Sequence, residues 1–226
     1  MKKLLVIVSI IVSLFIITTS SALAWAPVTH YKIGQEVNRL EPQADVRAFL
    51  TGTVLPDMAL SNPMEARFDR ANALKRQQMF HAPEFYDALE GFAFTPELKS
   101  FVNGYHTHLG TDPIEEAYSR IGLSRGAPYP ADMPYKGVDA ILWSRPNGSI
   151  TITSTIATLI IAAWNYTYPD SKWKPTYQWL ASVQRWMNFY LNGYVARTAK
   201  AQAERWYYDW RIPIDQSVQT SLQIIN

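Results

Sequence analysis

The chain of 226 residues carries 21 lysines and arginines against 19 aspartates and glutamates, and it has no cysteine. The lack of cysteine excludes disulfide bonds and thiolate metal sites. Lys2 and Lys3 account for the whole formal net charge of +2, so the rest of the chain is neutral and gives no electrostatic signature of nucleic-acid binding.

The first 24 residues have the pattern of a cleavable signal peptide. Lys2 and Lys3 precede an apolar run over residues 4–17, and Ala22-Leu23-Ala24 provides the small residues that a signal peptidase accepts. The alternative is a permanent membrane anchor, but the run is shorter than the roughly 20 residues of a spanning helix. The sequence therefore predicts cleavage after Ala24 and a secreted or periplasmic protein.

The mature chain, residues 25–226, is expected to form one mainly α-helical domain. Apolar spacing and proline positions predict helices over residues 29–40, 42–50, 83–92, 96–109, 153–166 and 174–210. Thr29 is the predicted N-cap of the first helix, and Pro213 is predicted to end the helical pattern. For residues 153–166 a strand is the alternative. Residues 52–63 and 122–148 are predicted to be loops.

Some of the four histidines, together with nearby aspartates, have a spacing that suits metal binding. His108 and Asp112 are spaced i, i+4 within a predicted helix, so their side chains leave the same face. After cleavage the α-amine and carbonyl of Trp25 could chelate a metal that His30 also reaches. Imidazole and carboxylate ligands without thiolate suit catalytic zinc. The alternative for each His–Asp pair is a solvated helix face.

Other residues are assigned simpler roles. His106 lies two positions before His108, which turns it roughly 200° away on a helix, so it is predicted to pack beside the site and not to bind metal. Trp164 and the tryptophans near the C-terminus, at helical spacing, are predicted to lie in the core.

Four segments together resemble the zinc-dependent phospholipase C family, which is related to the S1/P1 nucleases. They are W-A-P-V-T-H at residues 25–30, L-P-D at 55–57, F-H at 80–81 and G-Y-H-T-H-L-G-T-D at 104–112. The resemblance implies a multi-helical phospholipase C/P1 nuclease-like fold with two zinc ions. The ligands that it implies for the first ion are Asp57, His81, His108 and Asp112. Those that it implies for the second are the amine and carbonyl of Trp25, with His30 and the shared Asp112.

The resemblance also implies a reaction and a departure from the family. Asp57 is the expected catalytic residue, which orients or deprotonates a zinc-activated water that hydrolyses a phosphoester. The third zinc site of the family is doubtful here, because no histidine follows His108 and only carboxylates such as Glu115, Glu116 and Asp139 remain. Two zinc ions are therefore predicted.

The predicted substrate is a phospholipid or another phosphoester, with transient contact to a membrane surface and no obligate protein partner. Two alternatives remain open. The first is an S1/P1-type nuclease or nucleotidase, although the neutral charge makes nucleic acid the less favoured substrate. The second is a non-catalytic domain that is stabilised by metal.

Overall fold

The computed structural model describes residues 27–61, 69–124, 148–193 and 211–226, and these ranges are mainly helical and contain no β-strand. The all-α expectation is confirmed for this part of the chain. A 3-10 helix spans Leu55–Asp57. The α-helices are α1 (Pro27–Leu40), α2 (Val46–Gly52), α3 (Met58–Ser61), α4 (Arg70–Phe80), α5 (Pro83–Gly91), α6 (Pro96–Ser124), α7 (Ser154–Thr167), α8 (Tyr177–Gly193) and α9 (Arg211–Ile225).

The first two helices begin elsewhere than predicted. Helix α1 begins at Pro27, so Thr29 is a buried residue of its first turn and the predicted N-cap is wrong. A proline at the first position has no N–H to leave unsatisfied. Helix α2 begins at Val46, not near residue 42, because the Asp45 side chain accepts hydrogen bonds from the N–H groups of Arg47 and Ala48.

The predicted loop over residues 52–63 is wrong for residues 55–61. They form the 3-10 helix and α3, which bury Leu55, Pro56 and Asp57. Helix α6 is also longer than predicted, since it continues from residue 109 to Ser124 through Pro113. Proline lacks the N–H that would bond to the carbonyl of Leu109, but the packing of a long helix can outweigh this loss.

The C-terminal half confirms one predicted helix and corrects another boundary. Residues 154–167 are helical and not a strand, and the Thr153 side chain caps α7 by accepting from the N–H of Ile156. Pro213 does not end the helical pattern, because it is the third residue of α9. A helix leaves its first N–H groups without partners, so proline is tolerated there. Of residues 174–210, the structure describes α8 and the segment before it.

The core is apolar and rich in aromatic residues. Trp164 is fully buried, as predicted, and its indole N–H donates to the carbonyl of Trp173 at 3.1 Å. Phe80 of α4 packs against both tryptophans, with ring centroids 4.7 and 6.2 Å away. This cluster ties α4 to α7. Within the described ranges, none of the helices combines the length and the apolar character needed to cross a bilayer.

Helices α2 and α6 touch through their backbones at two glycines. A Cβ atom added to Gly104 would lie 2.0 Å from the carbonyl oxygen of Phe49, and one added to Gly52 would lie 2.1 Å from that of Phe101. Only glycine permits this approach. It brings the carbonyl group at the end of α2, at Thr53, within 2.9 Å of His108 Nδ1 on α6.

We expect Gly104→Ala to lower the free energy of unfolding by at least about 2 kcal/mol, because overpacked cores lose roughly 1–3 kcal/mol and here the obstacle is backbone. Gly91→Ala is the matched control, since nothing lies within 4 Å of an added Cβ there. The control should be neutral or should stabilise by about 0.4–1 kcal/mol. Urea unfolding followed by circular dichroism measures both. Equal stability of the two variants would contradict the close crossing.

Candidate metal centre

Five of the six residues predicted to bind metal come together in the structure, and they are contributed by four elements. His30 lies on α1, Asp57 ends the 3-10 helix, and His81 is the C-cap of α4. His108 and Asp112 follow one another by one turn on α6. The sixth residue, Trp25, lies outside the described residues, as do the predicted signal peptide and its cleavage site.

Asp112 faces all three histidines. Its Oδ1 atom is 3.5 Å from His30 Nε2 and 3.5 Å from His108 Nε2. Its Oδ2 atom is 3.3 Å from His81 Nε2. The two oxygens of one carboxylate therefore point to different imidazoles, Oδ1 to His30 and His108 and Oδ2 to His81.

Asp57 lies beside the same three imidazoles. Its Oδ1 atom is 3.6 Å from His81 Nε2 and 3.8 Å from His108 Nε2, and its Oδ2 atom is 4.0 Å from His30 Nε2. The Nε2 atoms of His81 and His108 are themselves only 3.2 Å apart. Both carboxylates therefore have oxygen atoms within 4.0 Å of the Nε2 atoms of all three imidazoles.

Each histidine is oriented by a hydrogen bond at its other ring nitrogen. The Nδ1–H of His108 donates to the carbonyl of Thr53 at 2.9 Å, and that of His81 to the carbonyl of Gln77 at 2.8 Å. Thr111 donates its hydroxyl proton to the carbonyl of His108, so its oxygen accepts from His30 Nδ1–H at 3.4 Å. With a proton on each Nδ1, a neutral imidazole turns the lone pair of Nε2 toward the centre.

These residues could hold a metal ion. Two overlapping groups have ligand atoms that all lie within 4.8 Å of one another: His30, Asp57 and His108, and His81, His108 and Asp112. His30 Nε2 and Asp112 Oδ1 are buried and have no hydrogen-bond partner among the described residues. A buried polar atom is costly without a partner, and a cation would supply one for both.

Burial sets the protonation of two histidines. It holds the pKa of His30 and that of His108 well below the usual range, and the charge of His81 lowers both further. Both imidazoles are therefore neutral near pH 7, which is the form that binds metal. Burial also raises the pKa of Asp112, although its hydrogen bond with His81 opposes this shift.

His81 differs from the other two histidines. Burial lowers its pKa, but the hydrogen bond with Asp112 and the negative charges of Asp112 and Asp57 outweigh burial and raise the pKa to about 9. Without a metal, His81 therefore carries a proton at neutral pH. That proton provides the positive charge between the two carboxylates, and a bound cation must displace it.

Three further residues, not predicted from the sequence, support the cluster. Gln77 donates its side-chain amide to Asp57 Oδ1, Thr111 orients His30, and the Tyr105 hydroxyl donates to the carbonyl of Phe80 at 2.6 Å. Gln77 stands one turn before His81 and Thr111 stands beside Asp112, so their proximity to ligands was the available signal. Which atoms they contact depends on how the helices cross, which the sequence does not reveal.

The remaining candidates lie apart or outside the described part. His106 is half-buried and its Nδ1 lies 3.0 Å from the Tyr86 hydroxyl, consistent with the predicted packing role. Glu116 is on α6 beyond Pro113 and belongs to neither group of possible metal ligands. Asp139 and the side chain of Glu115 lie outside the described residues. No further group of possible metal ligands is found among the described residues.

No protein-family model and no curated protein matches the sequence, and no solved structure matches the chain. The resemblance of the four segments to the phospholipase C family stays a prediction. The convergence of His30, Asp57, His81, His108 and Asp112 is a property of the structure itself.

Proposed function

We propose that this protein is an exported zinc-dependent phosphoester hydrolase that resembles phospholipase C. The proposal rests on one observation: the oxygens of two carboxylates lie within 4.0 Å of the Nε2 atoms of three imidazoles. These five residues come from four elements of the fold. Such a donor set of nitrogen and oxygen without sulfur is typical of catalytic zinc and not of structural zinc.

The spacing of the ligand atoms suits zinc. A tetrahedral ion with bonds of about 2.0–2.1 Å separates its ligand atoms by about 3.3 Å. His81 Nε2 lies 3.2 Å from His108 Nε2 and 3.3 Å from Asp112 Oδ2. Asp57 Oδ1, at 3.6 and 3.8 Å from the two imidazoles, would complete the set.

A second ion would lie toward His30. The Nε2 atom of His30 is 3.5 Å from Asp112 Oδ1, so one carboxylate can serve both ions. The remaining ligands proposed for this ion are the amine and carbonyl of Trp25 after cleavage behind Ala24. Because α1 begins at Pro27 and His30 is its fourth residue, the site lies a few residues from that predicted terminus.

Zinc would supply a water of lowered pKa and an electrophile for a phosphoryl oxygen. The protein's own groups would bind the ions and hold the water in place. Asp57 has one oxygen toward His81 and His108 and the other toward His30. It can therefore bind metal and also orient or deprotonate the attacking water, which is the role proposed for it.

A phospholipid is the preferred substrate, because the L-P-D and G-Y-x-x-H-L-x-x-D contexts resemble the phospholipase branch. An S1/P1-type nuclease or nucleotidase is the second candidate, since the site would activate water against any phosphoester. A metal-stabilised domain without turnover is the third. The proposed location is secreted or periplasmic, where transient contact with a membrane surface would bring the substrate.

The test is a panel of substrates with protein that begins at Trp25: a phosphocholine ester, single-stranded DNA and a 3′-nucleotide. We expect zinc-dependent hydrolysis of the phosphocholine ester, its loss after chelation, and its recovery with added zinc. Preferred cleavage of DNA or the 3′-nucleotide would support the nuclease alternative. Tight zinc binding without turnover of any substrate would support the non-catalytic domain.

A further inference from the structure

Gln77 contacts two of the converging residues at once. It is 1% exposed and lies on α4, one turn before His81. Its side-chain amide donates a hydrogen bond to Asp57 Oδ1, and its backbone carbonyl accepts one from His81 Nδ1 at 2.8 Å. A single buried residue therefore fixes a carboxylate of the 3-10 helix relative to an imidazole of α4.

The chemistry of Asp57 determines which way the amide faces. An ionised carboxylate only accepts hydrogen bonds, so the NH2 group of Gln77 must face Asp57 Oδ1. The Oε1 atom of Gln77 is then a buried acceptor, and it has no hydrogen-bond partner within the described part of the chain. Buried carbonyl oxygens normally have a donor. A water held by a bound metal is a donor that the described protein groups do not provide.

We propose that Gln77 is a positioning residue of the metal centre. Its NH2 group holds Asp57 in the orientation in which the carboxylate binds a metal, and its Oε1 atom accepts a hydrogen bond from a water of that metal. This inference rests on the metal-binding part of the proposed function. Partners that orient the ligands of a metal contribute roughly 10- to 100-fold to its affinity.

A purely structural role makes a different prediction. If the Gln77 side chain only packs in the interior beside α4, its removal would change the stability of the metal-free protein. The affinity of the protein for metal would stay unchanged. If it positions Asp57, its removal weakens metal binding even when the fold is intact. The affinity for metal in the absence of any substrate therefore separates the two roles.

The experiment measures zinc affinity by competition with a chromophoric chelator for the protein that begins at Trp25. Gln77→Met keeps the length of the side chain, the helix propensity and the backbone carbonyl, and removes only the amide. Gln78→Met, an exposed neighbour on α4, is the matched control. We expect zinc binding about 10- to 100-fold weaker for Gln77→Met and unchanged for Gln78→Met.

A double-mutant cycle tests whether Gln77 acts through Asp57. In an Asp57→Ala background, which leaves no side-chain oxygen for the Gln77 amide to hold, Gln77→Met should weaken zinc binding clearly less than it does in the wild-type background. If Gln77→Met loses its helical circular dichroism, Gln77→Asn is the substitute variant. The amide of the introduced asparagine is one methylene too short to reach Asp57 Oδ1, so the same loss of zinc affinity is expected.

Three outcomes would count against different claims. If wild type, Gln78→Met and Gln77→Met bind zinc equally tightly, Gln77 does not position the metal centre, and the proposed function still stands. Wild-type protein that binds no zinc would overturn the proposed function itself. An undiminished effect of Gln77→Met in the Asp57→Ala background would show that Gln77 does not act through Asp57.

Discussion

We expect His108→Ala to weaken zinc binding by on the order of 100-fold and to abolish any zinc-dependent hydrolysis. His108 is fully buried and is the one residue common to both groups of possible ligands. A four-ligand zinc site provides about 10–16 kcal/mol, so one ligand accounts for roughly 3 kcal/mol, or about 100-fold in affinity. Metal analysis after gel filtration, together with chelator competition, measures the loss.

His106→Ala is the matched control for this prediction. It removes the same side chain two residues earlier on α6, where the ring contacts Tyr86 and no ligand. Because His108→Ala also leaves a void in the core, His108→Gln is the second variant; its amide can still donate to the carbonyl of Thr53. Circular dichroism establishes that each variant is folded. Equal zinc content in folded His108→Gln and His106→Ala would exclude His108 as a ligand.

Local sequence patterns predicted the helices well where capping chemistry is short-range. The β-branched stretch that became α7 could have been a strand, but its length and alanine content indicated a helix, and Thr153 caps it. Boundaries were less accurate where tertiary contacts decide them. Asp45 caps α2, and its own N–H is held at 3.0 Å by Ser100, 55 positions along the chain. No local pattern contains that contact.

The candidate site could be predicted in part from residue types and spacing. The i, i+4 spacing of His108 and Asp112 places both on one face of α6, as the structure shows. The approach of His30, Asp57 and His81 depends on helix crossings, of which the backbone contact between α2 and α6 at Gly52 and Gly104 is one example. Such a contact has no periodic signature, so only the resemblance connected these residues before the structure did.

Two of the histidines are oriented by backbone carbonyls at the C-terminal ends of helices. A helix leaves its last carbonyls without intrahelical partners. The carbonyl of Thr53, the C-cap of α2, accepts from His108. The carbonyl of Gln77, in the last turn of α4, accepts from both the backbone N–H and the Nδ1–H of His81. The same groups that end the helices therefore select the ring nitrogen that faces the metal. This coupling of helix termination to ligand orientation is visible only in three dimensions.

Zinc affinity should rise with pH between about pH 7 and pH 9, by about tenfold per unit. The reason is the pKa of His81, which burial lowers but Asp112 and Asp57 together raise to about 9, so zinc must displace a proton in this range. His30 and His108 are already neutral there, because burial lowers their pKa values. Isothermal titration calorimetry in buffers of different ionisation enthalpy measures the protons released.

The metal-free protein should show the opposite dependence on pH. Folded, it keeps the His81 proton up to about pH 9, whereas the unfolded chain loses it near the ordinary value of 6.5. Unfolding therefore releases a proton between these values, and the free energy of unfolding of the metal-free protein falls as the pH rises through this window. With zinc bound, rising affinity offsets this loss, so urea unfolding curves with and without zinc should diverge from pH 7 to pH 9.

His81→Gln is the control that assigns both effects to one side chain. A water bound to the metal also releases a proton when it ionises, but this happens in both wild type and His81→Gln. On binding zinc, wild type should therefore release about one proton more per zinc than His81→Gln does. The variant should also lose the decline in metal-free stability above pH 6.5. If wild type and His81→Gln release the same number of protons, then His81 is not the protonated residue that zinc displaces, and the positive charge between Asp57 and Asp112 must come from another group.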